Sequence, residues 1–207
     1  MKTIINNKKT MLYLYFSAEM SSTIKSIKFQ EIEKQVFYIS KIKCASCHEV
    51  DDSKSHAVNM YDSVQDDKGT EFNFIMKCKY CSNKMTLNIQ SIDEVLINKK
   101  FEATQDYEED FVEKALADKK KSRNSAGIKN IDRDETANDG AILLMMDCRG
   151  SIIEEISYDD GNVFTADIAG NHTMTDLALE DMELYDYDQD NDTDLSVTEV
   201  VWTIIKK

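Results

Sequence analysis

Two pairs of cysteines, each with the spacing CxxC, constrain the fold of this chain more than any other feature. The pairs are Cys44 with Cys47 and Cys78 with Cys81, and residues 48–77 separate them. A CxxC turn brings its two sulfurs together, so two such turns can supply four thiolates to one tetrahedral Zn²⁺. The sequence therefore predicts a single Cys₄ zinc site at Cys44, Cys47, Cys78 and Cys81.

A zinc ion held by four cysteines has no open position for water or substrate, so the predicted role of the metal is structural. Redox-active pairs, bound iron and exchange of the metal with a partner remain alternatives. The thioredoxin dithiol is a single CxxC that opens a helix after a parallel strand, whereas both pairs here follow β-type segments. This difference favours structural zinc over dithiol exchange.

The charge and the cysteine count limit the partners and the compartment. The chain has 207 residues, with 25 Lys and Arg against 39 Asp and Glu, and its net charge is −14. Such a charge disfavours nucleic acid and anionic membrane surfaces as ligands. Four of the five cysteines lie in the CxxC pairs and Cys148 is left over, which is typical of a reduced, metal-using protein. We therefore expect a protein of the cytoplasm, or of both the cytoplasm and the nucleus.

The apolar run at 11–18 superficially resembles a secretory signal. It is short for such a segment, contains two tyrosines, and alternates leucine and phenylalanine with tyrosine, so a first β-strand is the favoured interpretation. No stretch of the sequence approaches the ~18 apolar residues that are needed to span a bilayer. The sequence thus gives no reason to expect a membrane protein.

Alternating and β-branched segments dominate the rest of the chain and predict a mainly β fold. The predicted strands are 11–18, 35–44, 72–78, 85–90, 141–146, 152–156, 163–166 and 195–205. Two of them lead directly into the cysteine pairs, which is the arrangement of zinc-ribbon knuckles. The sequence predicts two β-rich halves, with zinc-ribbon-like knuckles in the N-terminal half and a helical or disordered insertion between the halves.

Three intervals follow from these patterns. Residues 11–92 are the β half with the Cys₄ zinc site, residues 93–140 are a charged insertion, and residues 141–207 are a β half without metal. Within the insertion, apolar residues at helical spacing predict a short amphipathic helix at 106–121. The charged, Asn-rich stretch 119–140 predicts a linker after that helix.

Two residues near these motifs are candidates for further metal or thiol chemistry. His48 directly follows Cys47 and could replace a cysteine ligand, although a histidine at this position usually points away from the metal. Cys148 precedes Arg149, whose guanidinium could lower the pKa of the thiol and make it reactive. A buried small hydrophobic residue at a strand end is the favoured role for Cys148.

An acidic segment at 188–199 is close in pattern to an EF-hand calcium loop. Acidic residues occupy loop positions 1, 3, 5 and 7, and Glu199 occupies position 12. Position 6 is Thr193 where the sharp turn needs glycine, and the β-branched segment that follows is a poor exiting helix. An acidic hairpin between two strands is therefore predicted, with weak calcium binding as the alternative.

The order of motifs along the chain resembles one family. CxxC is followed by a second CxxC within 74–81, by Asp-Cys-Arg-Gly at 147–150, and by Tyr-Asp-Tyr-Asp at 185–188 before a last strand. This order is similar to that of the eukaryotic CxxC-motif-containing zinc-binding proteins, as is the opening segment 12–19. The resemblance implies a monomeric, β-rich protein of two related halves with Zn²⁺ on the four cysteines, and it implies no known reaction.

The chain also departs from the pattern of that family. Leu184 stands where many members have tryptophan, no tryptophan lies just after the first CxxC, and no proline lies just after Gly150. These departures weaken the expectation of any shared surface built around the missing aromatic residues.

No catalytic constellation occurs in the sequence: motifs of zinc proteases, serine hydrolases, P-loop proteins and dinucleotide-binding proteins are absent. We therefore expect a protein that is not an enzyme and serves as a binding or adaptor module for an unknown protein partner. The acidic hairpin at 186–194, with Tyr185 and Tyr187, is the candidate contact surface. The alternative function is a metal-transfer or thiol-redox factor that uses the CxxC pairs.

Overall fold

The computed structural model of the chain describes residues 9–105, 108–128, 140–170, 172–189 and 192–206. These residues form a mainly β fold with one α-helix between two β-rich parts of the chain, which confirms the predicted fold class. Among them, no helix is long and apolar enough to cross a membrane.

The elements are numbered in chain order. They are β1 (Lys9–Met20), β2 (Ile24–Phe29), a short 3-10 helix (Ile32–Lys34), β3 (Phe37–Cys44), β4 (Val50–Asp51), β5 (His56–Val58), β6 (Val64–Gln65), β7 (Glu71–Phe72), β8 (Phe74–Lys77), β9 (Lys84–Ser91), β10 (Leu96–Ile97), α1 (Phe111–Ser125), β11 (Ala141–Arg149), β12 (Ser151–Tyr158), β13 (Val163–Ile168), β14 (His172–Ala178), β15 (Leu184–Asp188) and β16 (Thr193–Lys206). Each predicted strand lies within or overlaps an observed one, and the strands that the sequence patterns missed are mostly short.

The largest sheet has six antiparallel strands in the order β15, β16, β1, β11, β9, β8. Strand β1 lies near its centre and is buried on both faces. Leu12 and Leu14 join the main core, whereas Tyr13 and Tyr15 pack with Ile142 in a second cluster on the opposite face. The tyrosine side of β1 is therefore covered rather than exposed to solvent.

Two smaller sheets and a two-stranded ribbon of β6 and β7 accompany the six-stranded sheet. One has the order β10, β2, β13, β14, and the other has the order β12, β3, β4, with β5 also pairing with β3. Aromatic side chains pack in the core within and between sheets. Ring centroids are 4.3 Å apart for Phe29 and Phe164 on paired strands of one sheet, 4.7 Å apart for Phe16 and Trp202 on paired strands of another, and 5.8 Å apart for Phe16 and Phe164 across the two sheets. Burial of these large rings supplies much of the hydrophobic stabilisation.

Strands from both sides of the insertion share each of the three larger sheets. Strand β11 pairs with β1 and β9, β12 pairs with β3, and β13 pairs with β2. One hydrophobic core contains residues from 11–92 and from 141–207. The two β-rich intervals are thus interleaved in space, and neither encloses a core of its own.

The helix of the insertion begins later and ends later than the interval 106–121 predicts. Near its C-terminal end, the guanidinium of Arg123 donates two hydrogen bonds to the carboxylate of Glu94, at 2.8 and 2.6 Å. Ile128 then packs against Tyr13 and Tyr15. The linker predicted at 119–140 is wrong at its start, since α1 continues to Ser125, and its residues 129–139 lie outside the described residues.

Candidate metal centre

The two cysteine pairs occupy turns at the ends of strands from two different sheets. Strand β3 ends at Cys44, and Cys78 directly follows β8. Strand β9 begins three residues after Cys81, so the second pair forms the turn of the β8–β9 hairpin at the edge of the six-stranded sheet. The sulfurs therefore meet where the edges of two sheets approach each other.

Both turns have the same backbone geometry. The carbonyl of Cys44 accepts a hydrogen bond from the N–H of His48 at 3.0 Å, and the carbonyl of Cys78 accepts one from the N–H of Ser82 at 2.9 Å. His48 and Ser82 have φ angles of 63° and 58°, in the left-handed region that favours glycine. His48 is therefore the residue that closes the first turn, and among the described residues it does not belong to the group that could hold a metal.

The four sulfurs form a compact cluster. The Sγ atoms of Cys44 and Cys81 are 3.7 Å apart, those of Cys47 and Cys78 are 3.6 Å apart, and all four lie within 4.8 Å of one another. A tetrahedral zinc site with Zn–S bonds of about 2.3 Å has sulfurs about 3.8 Å apart, whereas a disulfide needs about 2.0 Å. The thiols are free, and their spacing suits a tetrahedral metal ion.

The protonation of these thiols shows why they suit a cation. Burial opposes ionisation of Cys44, but the N–H groups of Cys47 and Ser46 donate to its sulfur, and its pKa falls to about 7. At Cys47 the N–H of Glu49 favours the thiolate, yet burial and the three neighbouring sulfurs raise the pKa to about 12. Of these two thiols, Cys44 favours the thiolate and Cys47 opposes it, and a cation among the sulfurs would favour the thiolate form.

A turn from the C-terminal part of the chain supports both cysteine turns. The carbonyl of Gly150, between β11 and β12, accepts hydrogen bonds at 3.0 Å from the N–H of Ala45 and from the side-chain amide of Asn83. The same amide of Asn83, which is buried, lies 3.7 Å from the sulfur of Cys44. A Cβ at Gly150 would come within 2.4 Å of the carbonyl of Lys84.

Asn83 and Gly150 were not among the site residues that the sequence predicted. Gly150 belongs to the Asp-Cys-Arg-Gly motif and is one of only six glycines, which is the signal that could have pointed to it. No local pattern connects that motif to cysteines more than sixty residues away, since the contact depends on the pairing of β3 with β12 and of β9 with β11. Asn83 carries no comparable signal.

Lysines around the cluster are paired with carboxylates. The ammonium of Lys79 lies 2.9 Å from Asp51, and that of Lys43 lies 3.4 Å from Glu154. Hydrogen bonds from Ser53 and Lys79 hold the pKa of Asp51 down to about 2. The Lys79–Asp51 pair connects the second cysteine turn to β4, which follows the first.

Cys148 is separate from the cluster. It lies in β11, is completely buried, and is absent from the group that could hold a metal. Burial, reinforced by the charge of Asp147, raises the pKa of its thiol to about 12. The favoured prediction of a buried small residue is confirmed, and the thiol lacks the lowered pKa of a reactive cysteine.

The predicted acidic hairpin consists of β15 and β16, which pair from Leu184 with Val197 to Asp188 with Thr193. Tyr185 and Tyr187 are exposed on β15, at the edge of the six-stranded sheet. Two positions of the EF-hand-like pattern, residues 190 and 191, lie outside the described residues. Calcium binding there stays a prediction.

Comparison with known proteins identifies the family. The family model for the eukaryotic CXXC motif containing zinc binding protein matches residues 13–205. The chain belongs to this family. The resemblance inferred from the order of motifs is thereby confirmed, and the described zinc binding of the family agrees with the sulfur cluster.

Two relatives carry related names. The UPF0587 protein YCR090C of Saccharomyces cerevisiae is 27% identical over 198 residues, covering 94% of this chain and 98% of the relative. The UPF0587 protein CG4646 of Drosophila melanogaster is 32% identical over 74 residues, 34% of this chain and 45% of that protein. Neither name states a reaction.

Two solved structures share the fold. The crystal structure of C1orf123 superposes with a TM-score of 0.63 at 15% identity, covering 95% of this chain and 99% of that chain. A hypothetical protein from Plasmodium falciparum has a TM-score of 0.58 at 11% identity, with 94% and 99% covered. At these identities the likeness concerns the fold alone.

Proposed function

We propose that this member of the family is a binding or adaptor module whose fold is stabilised by one Zn²⁺ on Cys44, Cys47, Cys78 and Cys81, and that it is not an enzyme. The observation that carries the proposal is the sulfur cluster, with separations of 3.6 and 3.7 Å between facing sulfurs. Four cysteine ligands complete a tetrahedral shell, so the metal offers no position to a substrate.

A structural role for the zinc is supported by the elements that meet at the cluster. Strand β3 belongs to one sheet and the β8–β9 hairpin to another, so a metal there cross-links two sheets. Structural zinc contributes about 10 to 16 kcal/mol of apparent binding free energy in zinc-finger peptides, as much as the whole stability of a typical domain. Four thiols forced together without a cation would weaken the same junction.

The test compares zinc content and stability in two matched variants. Cys44→Ser should lose stoichiometric zinc in native mass spectrometry and unfold at a clearly lower temperature. Cys148→Ser changes a cysteine outside the cluster and should keep the zinc. A Cys44→Ser protein that retains one zinc, or that loses zinc and melts like the wild type, would contradict the structural role.

The surface that we propose for a protein partner is the exposed side of β15. Among the described residues the outer edge of β15 pairs with no other strand, and Tyr185 and Tyr187 are exposed on it, with Asp186 exposed between them. Quantitative affinity purification tests this surface. It should recover a protein that binds the wild type but does not bind the double variant Tyr185→Ser, Tyr187→Ser. An equal set of bound proteins for the two would argue against this surface.

We propose that the protein is monomeric, works in the reducing cytoplasm or nucleus, and does not bind nucleic acid.

A second candidate function is metal transfer or thiol redox. One observation favours it: Cys81 is exposed and Cys47 is only half-buried, so one side of the cluster faces solvent. The two functions differ in the rate at which a colorimetric chelator removes zinc from the native protein. Release that follows global unfolding supports the structural role, and rapid release from the folded protein supports transfer.

A further inference from the structure

Helix α1 packs weakly on the rest of the protein. Of its fifteen residues only Arg123 is buried. Four apolar residues of the helix are half-buried, namely Phe111, Val112, Ala115 and Leu116. A helix of this length is marginally stable alone in water, and in most proteins an apolar face packed on the core stabilises it. The stability of α1 therefore depends on the contacts at its two ends.

An open groove of about 450 Å³ separates the middle of the helix from the neighbouring sheet. On the helix side it is lined by Ala115, Asp118 and Ser122, and on the sheet side by Ile97 of β10 and Ser26 of β2. Side chains beside an open groove lose the close contacts that stabilise a packed interface. The middle of α1 thus adds little to its attachment.

A buried ion pair fixes the chain at the start of the helix. The ammonium of Lys25 on β2 contacts the carboxylate of Glu108, and both residues are buried. Glu108 also accepts a hydrogen bond from the N–H of Gly170 at 3.0 Å. The rings of Phe101 and Phe111 pack edge to face, and the ammonium of Lys25 lies 5.7 and 5.8 Å from their centroids. Because separation of this pair would leave a buried charge without a partner, this end is held firmly.

Charged side chains attach the other end of the helix. The carboxylate of Glu94, which accepts two hydrogen bonds from Arg123, also accepts the N–H of Ile142 in β11 at 2.8 Å. Glu94 is thereby fixed to the six-stranded sheet. Arg123 and Lys119, one turn apart, both donate to the backbone carbonyl of Gly140. The guanidinium of Arg123 is thus the centre of the contacts at this end.

Ile128 adds an apolar contact just beyond the helix. It packs against Tyr13 and Tyr15, on the face of the six-stranded sheet that is opposite the main core. Burial of one isoleucine contributes only a small part of the stability of a domain. Segments with few buried apolar contacts open locally, at a lower free energy than the whole fold.

We propose that residues 111–128 form a strap that detaches at its C-terminal end as one unit while the three larger sheets stay folded. The Arg123–Glu94 pair is the latch of this strap, and the Lys25–Glu108 pair is its anchor. Helix α1 lies against β10, the end strand of its sheet, so opening uncovers the groove and the edge of β10. The strap controls access to that edge and is independent of the cysteine cluster and of the exposed side of β15.

Hydrogen exchange measured by NMR on the zinc-loaded, full chain tests the proposal. The amides of 115–125 should share one protection factor, at least about tenfold below those of 12–16 in β1 and 143–148 in β11. Protection that falls gradually towards one end of the helix would mean fraying. Equal protection in α1 and in the two strands would mean that the helix opens only with the whole fold. Either result overturns the proposal.

Two matched variants locate the latch. Arg123→Gln removes the guanidinium and should speed exchange of 115–125 about tenfold or more, with the two strands unchanged within about twofold. Lys120→Gln removes the same charge from an exposed position of the helix and should leave its exchange at the wild-type rate.

Melting curves and zinc content show whether each variant is folded, and the wild-type comparison decides the proposal even where a variant is not. Equal acceleration of α1 and the strands in Arg123→Gln would mean that the ion pair stabilises the whole fold. An effect of Lys120→Gln as large as that of Arg123→Gln would mean that only the charge of the helix acts. Both outcomes contradict a latch.

Discussion

The carbonyl oxygen of Gly150 accepts a hydrogen bond of 3.0 Å from the side-chain amide of Asn83. This contact joins the β11–β12 turn to the second cysteine turn, across sixty-seven positions of sequence. The same carbonyl also accepts the N–H of Ala45 from the first turn. Gly150 thus holds both cysteine turns in place without being a metal ligand.

Replacement of Gly150 by alanine should destabilise the protein severely. Its φ is +73°, and an added Cβ would lie 2.4 Å from the backbone carbonyl of Lys84. We expect a loss of about 2 to 4 kcal/mol in the free energy of unfolding, measured by urea denaturation of the zinc-loaded protein.

Gly69→Ala is the matched control for that prediction. Gly69 has a φ of +78°, but nothing lies within 4 Å of the position that its Cβ would take. It should cost only about 1 kcal/mol, the backbone contribution alone. Equal losses at the two glycines would show that the close approach at Gly150 has no energetic consequence.

Replacement of Asn83 by alanine should weaken the metal site more than the fold. The buried amide donates to Gly150 and lies 3.7 Å from the sulfur of Cys44, where it stabilises a thiolate. We expect a loss of about 1 to 3 kcal/mol of stability and faster zinc release to a chelator.

Asn59→Ala serves as the comparison for Asn83→Ala, because Asn59 makes its side-chain hydrogen bonds with Asp62 in an exposed loop. Its zinc release should match that of the wild type. If both variants release zinc at the wild-type rate, the amide of Asn83 does not contribute to metal retention.

Replacement of Ser82 by glycine should stabilise the protein. The residue has a φ of 58° at the end of the second cysteine turn, a conformation that costs a non-glycine residue of order 1 kcal/mol. Thermal unfolding should show a gain of about 0.5 to 1 kcal/mol with zinc content unchanged. Ser82→Ala keeps the backbone strain and should show no gain, so an equal gain in both variants would refute the explanation.

The thiol of Cys148 should resist alkylation in the folded protein. Burial raises its pKa to about 12, so the neutral thiol is favoured, and at pH 8 the thiolate fraction is about one in ten thousand. Mass spectrometry after brief iodoacetamide treatment should find Cys148 unmodified at pH 8 and labelled after unfolding.

The same shift determines how stability depends on pH at this position. Because the pKa in the folded state lies above the value of 9.0 for an unperturbed thiol, the contribution of Cys148 is complete below about pH 9 and is lost as the pH rises towards 12. The alkaline loss of stability should therefore be smaller in Cys148→Ala than in the wild type. If stability falls equally at alkaline pH in Cys148→Ala and in the wild type, Cys148 becomes exposed to solvent before the protein unfolds globally.

The mainly β class and the cysteine cluster were accessible from local patterns. Period-two alternation at 85–90 and the apolar run at 141–146 indicate strands because one or both faces of a strand must be buried. The CxxC spacing brings two sulfurs of one turn together whatever the rest of the fold does. The helix end was misplaced because the polar residues 122–125 carry no apolar signal, while the ion pair of Arg123 with Glu94 fixes that segment from outside it.

By itself, the sequence determined which residues form the turns, which segments become strands, and which four sulfurs are available to a metal, since these depend on spacing along the chain. Only the tertiary structure decided that the two β-rich intervals interleave, that Gly150 and Asn83 support the cysteine turns, and that α1 is held at its two ends beside an open groove. Those features depend on which strands pair across long separations. That pairing is selected by burial of the shared core, which no local pattern contains.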